Sequence, residues 1–289
     1  MNKKTQEYKV FFCGISKNCI GTIKYNLSFL SEYQKKSKFH IEAIFVDSDS
    51  NDGTKTEIDN FTSKNSFIRY FELNALEAKY KNRIERIMLS RNQCLNIMLE
   101  NYPLDKVIYI PLDLDINLFK YTTIKELDSL ISYCIAKKEP NGIFPFSEPF
   151  YYDIFALRAR GWVKYNSLFW AKRMKKYLKI GSFIYNYLFI FRHQLNSIKF
   201  MKLKIKISSA FGGMGIYKLP TSLSNYTLDD NYPEDVSEHI IFNTQFNELE
   251  ILERWKVPAP IEHLEYKLLN WKMKIIYILK SLKNDFKNN

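Results

Sequence analysis

Val107-Ile108-Tyr109-Ile110-Pro111-Leu112-Asp113-Leu114-Asp115 is an apolar, β-branched run that ends in two carboxylates two positions apart. Such a run predicts a buried strand. If the chain stays extended at its end, residues i and i+2 point to one face, and both carboxylates converge on one ligand. If it turns there, one carboxylate faces a metal while the other works through water or holds a ribose. Mg2+ or Mn2+ bound to a diphosphate takes few protein oxygens, because phosphate and water supply the rest. An Asp-x-Asp closing a buried strand therefore suits a nucleoside diphosphate. A solvated turn explains the same tripeptide, so its surroundings decide.

Upstream, Tyr8 to Ile15 reads as a first strand, with Gly14 expected to turn the backbone where the strand ends. Ile23, Leu27 and Leu30 give Thr22 to Gln34 a helical spacing. Ile41 to Asp47 is a second strand, running through the polar loop Ser48-Asp49-Ser50-Asn51-Asp52-Gly53-Thr54 into a helix from about Lys55. Strand, helix, strand, loop, helix opens a parallel α/β sheet. Asp47 then stands at the carboxyl end of a strand, where open α/β sheets bind ligands. Asp52-Gly53-Thr54 also suits a plain turn with a helix cap. Phe67 to Phe71 is a third strand. A helix spans Arg83 to Leu99 and contains Ser90-Arg91-Asn92. A helical Arg usually sits on a solvated face. After the fourth strand come a helix from Thr123 to Lys137, a strand over Gly142 to Phe146, and another expected over Tyr151 to Arg158.

The chain has 289 residues, 46% of them hydrophobic and 16% aromatic, enough for one sizeable domain. Residues 1–263 form that domain in this reading, and residues 264–289 a C-terminal helix and tail. Cys13, Cys19, Cys94 and Cys134 show no Cys-x-x-Cys spacing and form no zinc pattern with the His residues. Reduced thiols in a cytoplasmic protein are the simplest expectation. Met1 to Lys9 is too polar for a signal peptide, and no apolar run reaches the ~20 residues a bilayer span requires.

Net charge is +12, unevenly placed. From Ile154 to Leu228 there is no acidic residue, while Lys and Arg recur from Arg158 to Lys218. That asymmetry implies an anionic partner: nucleic acid, a lipid surface or a phosphorylated substrate. Trp162, Phe169, Trp170, Tyr177, Phe183 and Tyr185 interleave with the cations, which suits an interfacial helix on an anionic membrane. Single-stranded nucleic acid and a packed helical hairpin fit the same mixture. Lys204 to Ser208 alternates like a strand edge. Phe211-Gly212-Gly213-Met214-Gly215 brings backbone close to something, and a sugar or acceptor wall is one reading, a tight turn the other. Leu264 to Phe286 is a basic amphipathic helix that packs on the domain or lies on a membrane.

The ordered set Asp49-Ser50-Asn51-Asp52-Gly53-Thr54, Ser90-Arg91-Asn92 and Asp113-Leu114-Asp115 resembles that of GT-A nucleotide-sugar glycosyltransferases. More narrowly, Tyr151 to Arg158, Phe211 to Tyr217 and Ser237-Glu238-His239 resemble the cryptococcal capsule-associated mannosyltransferase family. The resemblance covers roughly residues 8 to 260, except for a basic insertion at about 160–206. It implies a GT-A α/β fold, with a mixed, mostly parallel sheet flanked by helices, that insertion, and the C-terminal helix. It implies that Cys13, Gly14, Asp47, Asp49, Asp52, Arg91 and Asp113 surround the nucleotide. Asp113 and Asp115, with His239, would hold Mn2+ or Mg2+. Tyr152, Asp153, Gly212 and Gly213 would face the sugar or acceptor. Asp153 and Glu238 are the catalytic candidates, with Glu234 and Asp235 as rivals; if transfer inverts, Glu238 is the base. GDP-mannose or a UDP-sugar is the expected donor, and a glycan or lipid-linked glycan the expected acceptor. An anionic membrane surface is an expected partner, and nucleic acid is not. Two other readings stand beside this one. A sugar nucleotidyltransferase shares the nucleotide and metal needs but has a Gly-rich basic phosphate loop, for which Gly14-Ile15-Ser16-Lys17 is a poor substitute. A non-catalytic basic module would tolerate loss of Asp113 and Asp115.

Overall fold

Alternation along β1 (Thr5–Ser16) sends Val10 and Phe12 to one face of a sheet and Phe11 and Cys13 to the other. All four are buried, the pattern of a strand covered on both sides. The computed structural model describes residues 5–100, 102–178, 187–202, 206–231 and 236–260. The expected helix over Leu264 to Phe286 and the rival carboxylates Glu234 and Asp235 lie outside them.

β1 is central in a seven-stranded sheet of order β3-β2-β1-β4-β8-β5-β9. Its other strands are β2 (Phe39–Ser48), β3 (Ile68–Leu73), β4 (Val107–Asp113), β5 (Asn141–Glu148), β8 (Ile216–Lys218) and β9 (Glu248–Pro258). Every pairing is parallel except those of β8, which runs against both β4 and β5. The expected mixed, mostly parallel α/β sheet is therefore present. A separate antiparallel pair joins β6 (Arg158–Ala159) to β7 (Ile207–Ser209).

Helices cover both faces. α1 (Ile20–Lys36) and α5 (Ile124–Ala136) bury Ile23, Leu27, Leu30, Leu127 and Ile131 with Phe12 and Ile110. α4 (Arg83–Leu99) buries Leu95 and Met98 with Phe11 and Tyr109 on the other face. Short helices α2 (Thr54–Thr62) and α3 (Leu76–Lys79) frame the loop after β2. In the insertion the described α-helices are α6 (Ser167–Leu178), α7 (Arg192–Leu195), which a π-helical turn over Tyr187–Phe191 precedes, and α8 (Ser197–Lys202), and α9 (Glu238–Phe242) follows later. The chain leaves β1 for β2 on one side and reaches β4 on the other. Between β1 and β4 the sheet therefore has a switch point, where the carboxyl ends of strands open a crevice.

Two expectations about local structure are corrected. Gly14 does not turn the chain: β1 runs through it to Ser16. A Cβ there would stand 2.7 Å from both Leu114 Cδ1 and Phe45 Cδ1, so glycine lets neighbouring side chains cross the strand. Tyr151 to Arg158 is not a strand. Asp153 Oδ1 accepts from Ala156 N at 3.1 Å, an Asx-type turn that competes with extended pairing. Strand pairing begins only at Arg158.

Candidate active site

At the switch point lies a cavity of about 930 Å³. Its walls come from the end of β1 and the following loop (Ile15 to Asn18), one face of α4 (Arg83, Arg86, Ser90, Arg91), and Asp113 and Asp115. Tyr152 to Phe155, Phe211, Ser237 to His239, and Ser167, Leu168, Lys172 and Gln194 of the insertion also line it.

Arg91 is the centre. α4 carries it on the buried stripe of Ile84, Leu95 and Met98, and only 2% of it is exposed. A buried guanidinium needs anionic partners, and it has two. Nη2 donates to Asp113 Oδ1 at 2.7 Å, and Nε donates to Glu238 Oε1 at 2.8 Å. Phe211 lies under the guanidinium, 4.7 Å from ring centre to Cζ, with Tyr226 at 6.0 Å. Asn92 pins Tyr226 by accepting from its N–H at 2.8 Å and donating to its carbonyl at 2.9 Å. Nη1 is buried and has no hydrogen-bond partner. An ionised donor left unsatisfied in a low-dielectric site is costly, so a ligand oxygen is the natural complement.

Asp113 closes β4, and the chain turns immediately, leaving Asp115 exposed on the cavity wall. Of the two geometries open to the Asp-x-Asp, the turn is the one present. Burial pushes the Asp113 carboxyl up to about 7, Arg91 opposes this, and the charges of Asp115 and Glu238 reinforce it. Asp113 N donates to Gly213 O at 2.8 Å, which ties the strand end to the glycine loop. Gly213 has φ +89, and a Cβ on it would meet Ile116 Cδ1 at 2.7 Å and Tyr152 Oη at 3.2 Å. Gly212 and Gly213 thus bring backbone close to the Asp-x-Asp turn and are not themselves cavity wall.

The remaining expected residues divide. Asp47 is buried at the end of β2 and accepts from Ser16 Oγ at 2.8 Å and Ser50 N at 3.0 Å, with a short contact from Ser50 Oγ. Asp49 accepts from Ala75 N at 2.6 Å and Glu77 N at 2.9 Å. Asp52 accepts from Thr54 N and Ile20 N, both at 3.0 Å. All three brace the loops beneath Ser16, Lys17 and Asn18 and do not line the cavity. Cys13 and Gly14 are buried within the sheet and do not line it either. Asp153 lines it, but its oxygens accept from Ala156 N and, at 2.9 Å, from Gly212 N. Glu238 is held by Arg91 on Oε1 and accepts from Ser237 Oγ at 3.3 Å on Oε2.

His239 stacks on Phe211 at 3.8 Å and 21°. Neither ring nitrogen has a hydrogen-bond partner, although Nε2 lies 3.3 Å from Glu238 Oε1. Burial, then the Arg91 charge, hold its pKa well below the usual imidazole value. Among the described residues no group of three or more His, Cys, Asp or Glu side chains is placed to hold a metal ion. Two hard carboxylates on a cavity wall nevertheless match a cation that arrives on a diphosphate and needs few protein oxygens. Sequence reasoning missed Ser16, Lys17, Asn18, Arg83, Arg86, Ser167, Lys172 and Gln194 as wall residues. For Arg83, eight positions before Arg91 on α4, spacing was an available signal; for Arg86, five before it, there was none. For the insertion residues there was none.

No known family profile and no curated protein matches the chain. Among solved structures, it is similar to the mannosyltransferase PcManGT from Pyrobaculum calidifontis, described in complex with GDP-Man and Mn2+, at 13% identity and TM-score 0.43. That match covers 86% of this chain and 56% of the other. It is similar to mannosyl-3-phosphoglycerate synthase from Rubrobacter xylanophilus at 12% identity and TM-score 0.42, covering 97% and 75%. It is also similar to S. aureus TarS 1-349 in complex with UDP-GlcNAc at 14% identity and TM-score 0.43, covering 89% and 60%.

Proposed function

We propose that this chain is a glycosyltransferase that moves a sugar from a nucleoside-diphosphate sugar, GDP-mannose or a UDP-sugar, to a hydroxyl of a glycan or lipid-linked glycan. The observation that carries the reading is Arg91: a buried guanidinium between Asp113 and Glu238, with Nη1 unpartnered, at the crevice between β1 and β4. Arg91 Nη1 binds a diphosphate oxygen, and Asp113 and Asp115 hold Mn2+ or Mg2+ carried with it. The metal, when bound, supplies neutralising charge for the leaving group. Glu238 keeps the guanidinium in place, and Asp153 fixes the glycine loop that positions Asp113. Neither is the base in this reading, because each is already engaged.

The acceptor oxygen bonds to the anomeric carbon as the bond from that carbon to phosphate breaks. The electron pair leaves with the nucleoside diphosphate, which also takes the hydroxyl proton, the course that suits retention. The cationic surface of the insertion is the side we assign to an anionic membrane, with the protein peripheral on its cytoplasmic face. Among the described residues no helix is long and apolar enough to cross a membrane.

The test is release of nucleoside diphosphate from GDP-mannose and a panel of UDP-sugars with Mn2+ present. One donor should turn over, and Asp115→Asn should lower that rate at least a hundredfold with the melting temperature kept. Release of pyrophosphate from a nucleoside triphosphate and a sugar 1-phosphate would instead identify a nucleotidyltransferase. Turnover unaffected by Asp115→Asn would remove the metal assignment.

A further inference from the structure

A second cavity, of about 120 Å³, lies between the loop that leads into α5 and the carboxyl-terminal part of β9. Its walls include Tyr121, Thr122, Glu126, Arg254, Trp255 and Lys256, and it shares no described lining residue with the active-site cavity. Two polar side chains of this wall are buried without a partner. Trp255 is 2% exposed, and its Nε1 has no acceptor; Thr122 is 6% exposed, and its Oγ1 has no hydrogen-bond partner. Buried indole N–H groups and hydroxyls are as a rule hydrogen-bonded. The cavity is far larger than the about 10–15 Å³ that one water needs. The pair therefore fits a multi-atom ligand that offers an acceptor to the indole N–H and a hydroxyl to Thr122.

The charges of the wall balance. Arg254 and Lys256 line it with Glu126, and Glu148 pairs Lys256 at 2.9 Å. The start of α5 is already capped: Thr123 Oγ1 accepts from Glu126 N, and Glu126 Oε2 accepts from Thr123 N. Such a wall suits a neutral, hydroxyl-rich ligand better than an anion. Tyr121 adds an aromatic ring that is 47% exposed, with Lys120 5.4 Å from its centre. Buried donors with an exposed ring beside them take a saccharide, whose hydroxyls bond and whose C–H face stacks. The sheet sets this cavity near the crevice. β8 runs against β4 and β5, and β9 runs parallel to β5, so Asp113 and Lys256 stand toward the same end of the sheet. Three strand spacings separate β4 from β9, roughly 14 Å. Ile116 lines the first cavity and Tyr121 the second, and the chain between them reaches at most about 18 Å. A short oligosaccharide spans that gap.

Resting on the glycosyltransferase reading, we propose that Trp255, Thr122 and Tyr121 form a saccharide subsite, which holds a distal unit of a glycan acceptor while the reacting hydroxyl lies in the crevice. Trp255 Nε1 donates to a sugar oxygen, Thr122 Oγ1 bonds a sugar hydroxyl, and the Tyr121 ring stacks on the sugar. No bond forms or breaks there. The subsite selects by length: an oligosaccharide engages both cavities, a monosaccharide only the crevice.

The experiment is NMR titration of the full chain labelled with nitrogen-15 in tryptophan. It reads the Trp255 indole N–H, which Trp255→Phe identifies among the four tryptophans. The probes are mannotriose, maltotriose and the trimer of N-acetylglucosamine, with sodium acetate and inorganic phosphate as anionic controls. One saccharide should shift the Trp255 signal saturably, both in the chain alone and in the chain saturated with nucleoside diphosphate and Mg2+. Thr122→Val and Tyr121→Ala should each weaken that binding at least fivefold. Thr122→Val should keep the melting temperature, because the hydroxyl it removes is buried and unsatisfied. In turnover, Tyr121→Ala should raise the KM of the trisaccharide acceptor at least fivefold and that of the matching monosaccharide less than twofold. Saccharide binding at Trp255 in a chain that binds no nucleoside diphosphate would keep the subsite and fail the donor reading. Nucleotide binding with no Trp255 shift from any saccharide, an equal shift from acetate or phosphate, or unchanged saccharide affinity in both variants would overturn the subsite.

Discussion

Arg91 and Asp113, 22 positions apart, meet at 2.7 Å in a crevice whose far side Glu238 closes at 2.8 Å from the same guanidinium. The helix that covers the sheet and the strand that ends at the crevice are thereby locked to α9. The ion pair has a structural and a chemical consequence. Removing one partner of a buried pair costs about 3–5 kcal/mol, because the other charge stays buried. Arg91→Met should therefore lower stability by about 3 kcal/mol in chemical denaturation. Adding Glu238→Gln should recover part of that, since the stranded carboxylate is then gone. An unchanged denaturation midpoint in Arg91→Met would show that the guanidinium is not holding the two elements.

The glycine loop is a second support. Gly213→Ala places a side chain in the left-handed region and drives its Cβ against Ile116 and Tyr152 Oη. Strain of that kind costs of order 1–3 kcal/mol. Because Gly213 O receives Asp113 N, the displaced loop should also move the Asp-x-Asp turn. The expected outcome is a lower melting temperature with nucleoside-diphosphate affinity reduced beyond what the stability loss explains. Weakened stability with native affinity would separate the loop from the site.

His239 gives a pH dependence with a definite sign. Its folded pKa is depressed, by burial first and then by Arg91. The unfolded chain therefore binds more protons below the usual imidazole value of about 6.5, and stability falls as pH drops through that range. The slope is at most about 1.4 kcal/mol per pH unit for one proton. His193, also depressed by burial, acts in the same direction, so the comparison must be made between variants. His239→Phe should lose less stability than wild type between pH 7.5 and pH 5.5. An identical loss in both proteins would mean that His239 is not the group charging on unfolding.

The parallel half of the sheet is legible in the sequence because each strand there is a short apolar run between turn-forming residues, and β1, β2 and β4 lie where those runs lie. Arg91 was half-legible. Its neighbours Ile84, Leu95 and Met98 place it on the apolar stripe of α4, which argues against a solvated face, but nothing local names Asp113 and Glu238 as its partners. Asp153 misled because aromatic residues on both sides suggest a strand. Its side chain instead accepts from Ala156 N and stops the pairing. Asp47, Asp49 and Asp52 sit where a ligand-binding loop was expected, yet their oxygens are taken by loop hydroxyls and backbone N–H groups. Composition cannot distinguish a carboxylate that binds a ligand from one that braces the loop holding it. The placement of Ser167 and Lys172 on the cavity wall depends on which way the insertion folds back, and no periodicity reports that.

The central claim is that the crevice between β1 and β4 binds a nucleoside diphosphate through Arg91, Asp113 and Asp115 with a divalent cation. Ligand bound to the folded state alone stabilises it by mass action, by ~2.7 kcal/mol at a hundredfold excess over Kd. The direct measurement is the melting temperature of the chain with GDP, UDP or CDP, in Mn2+ and in EDTA, for wild type and Asp115→Asn. One nucleotide should raise the wild-type melting temperature, more in Mn2+ than in EDTA, and Asp115→Asn should erase the Mn2+ increment while melting like wild type without ligand. No stabilisation by any nucleoside diphosphate, or an equal shift in Mn2+, in EDTA and in Asp115→Asn, would contradict it.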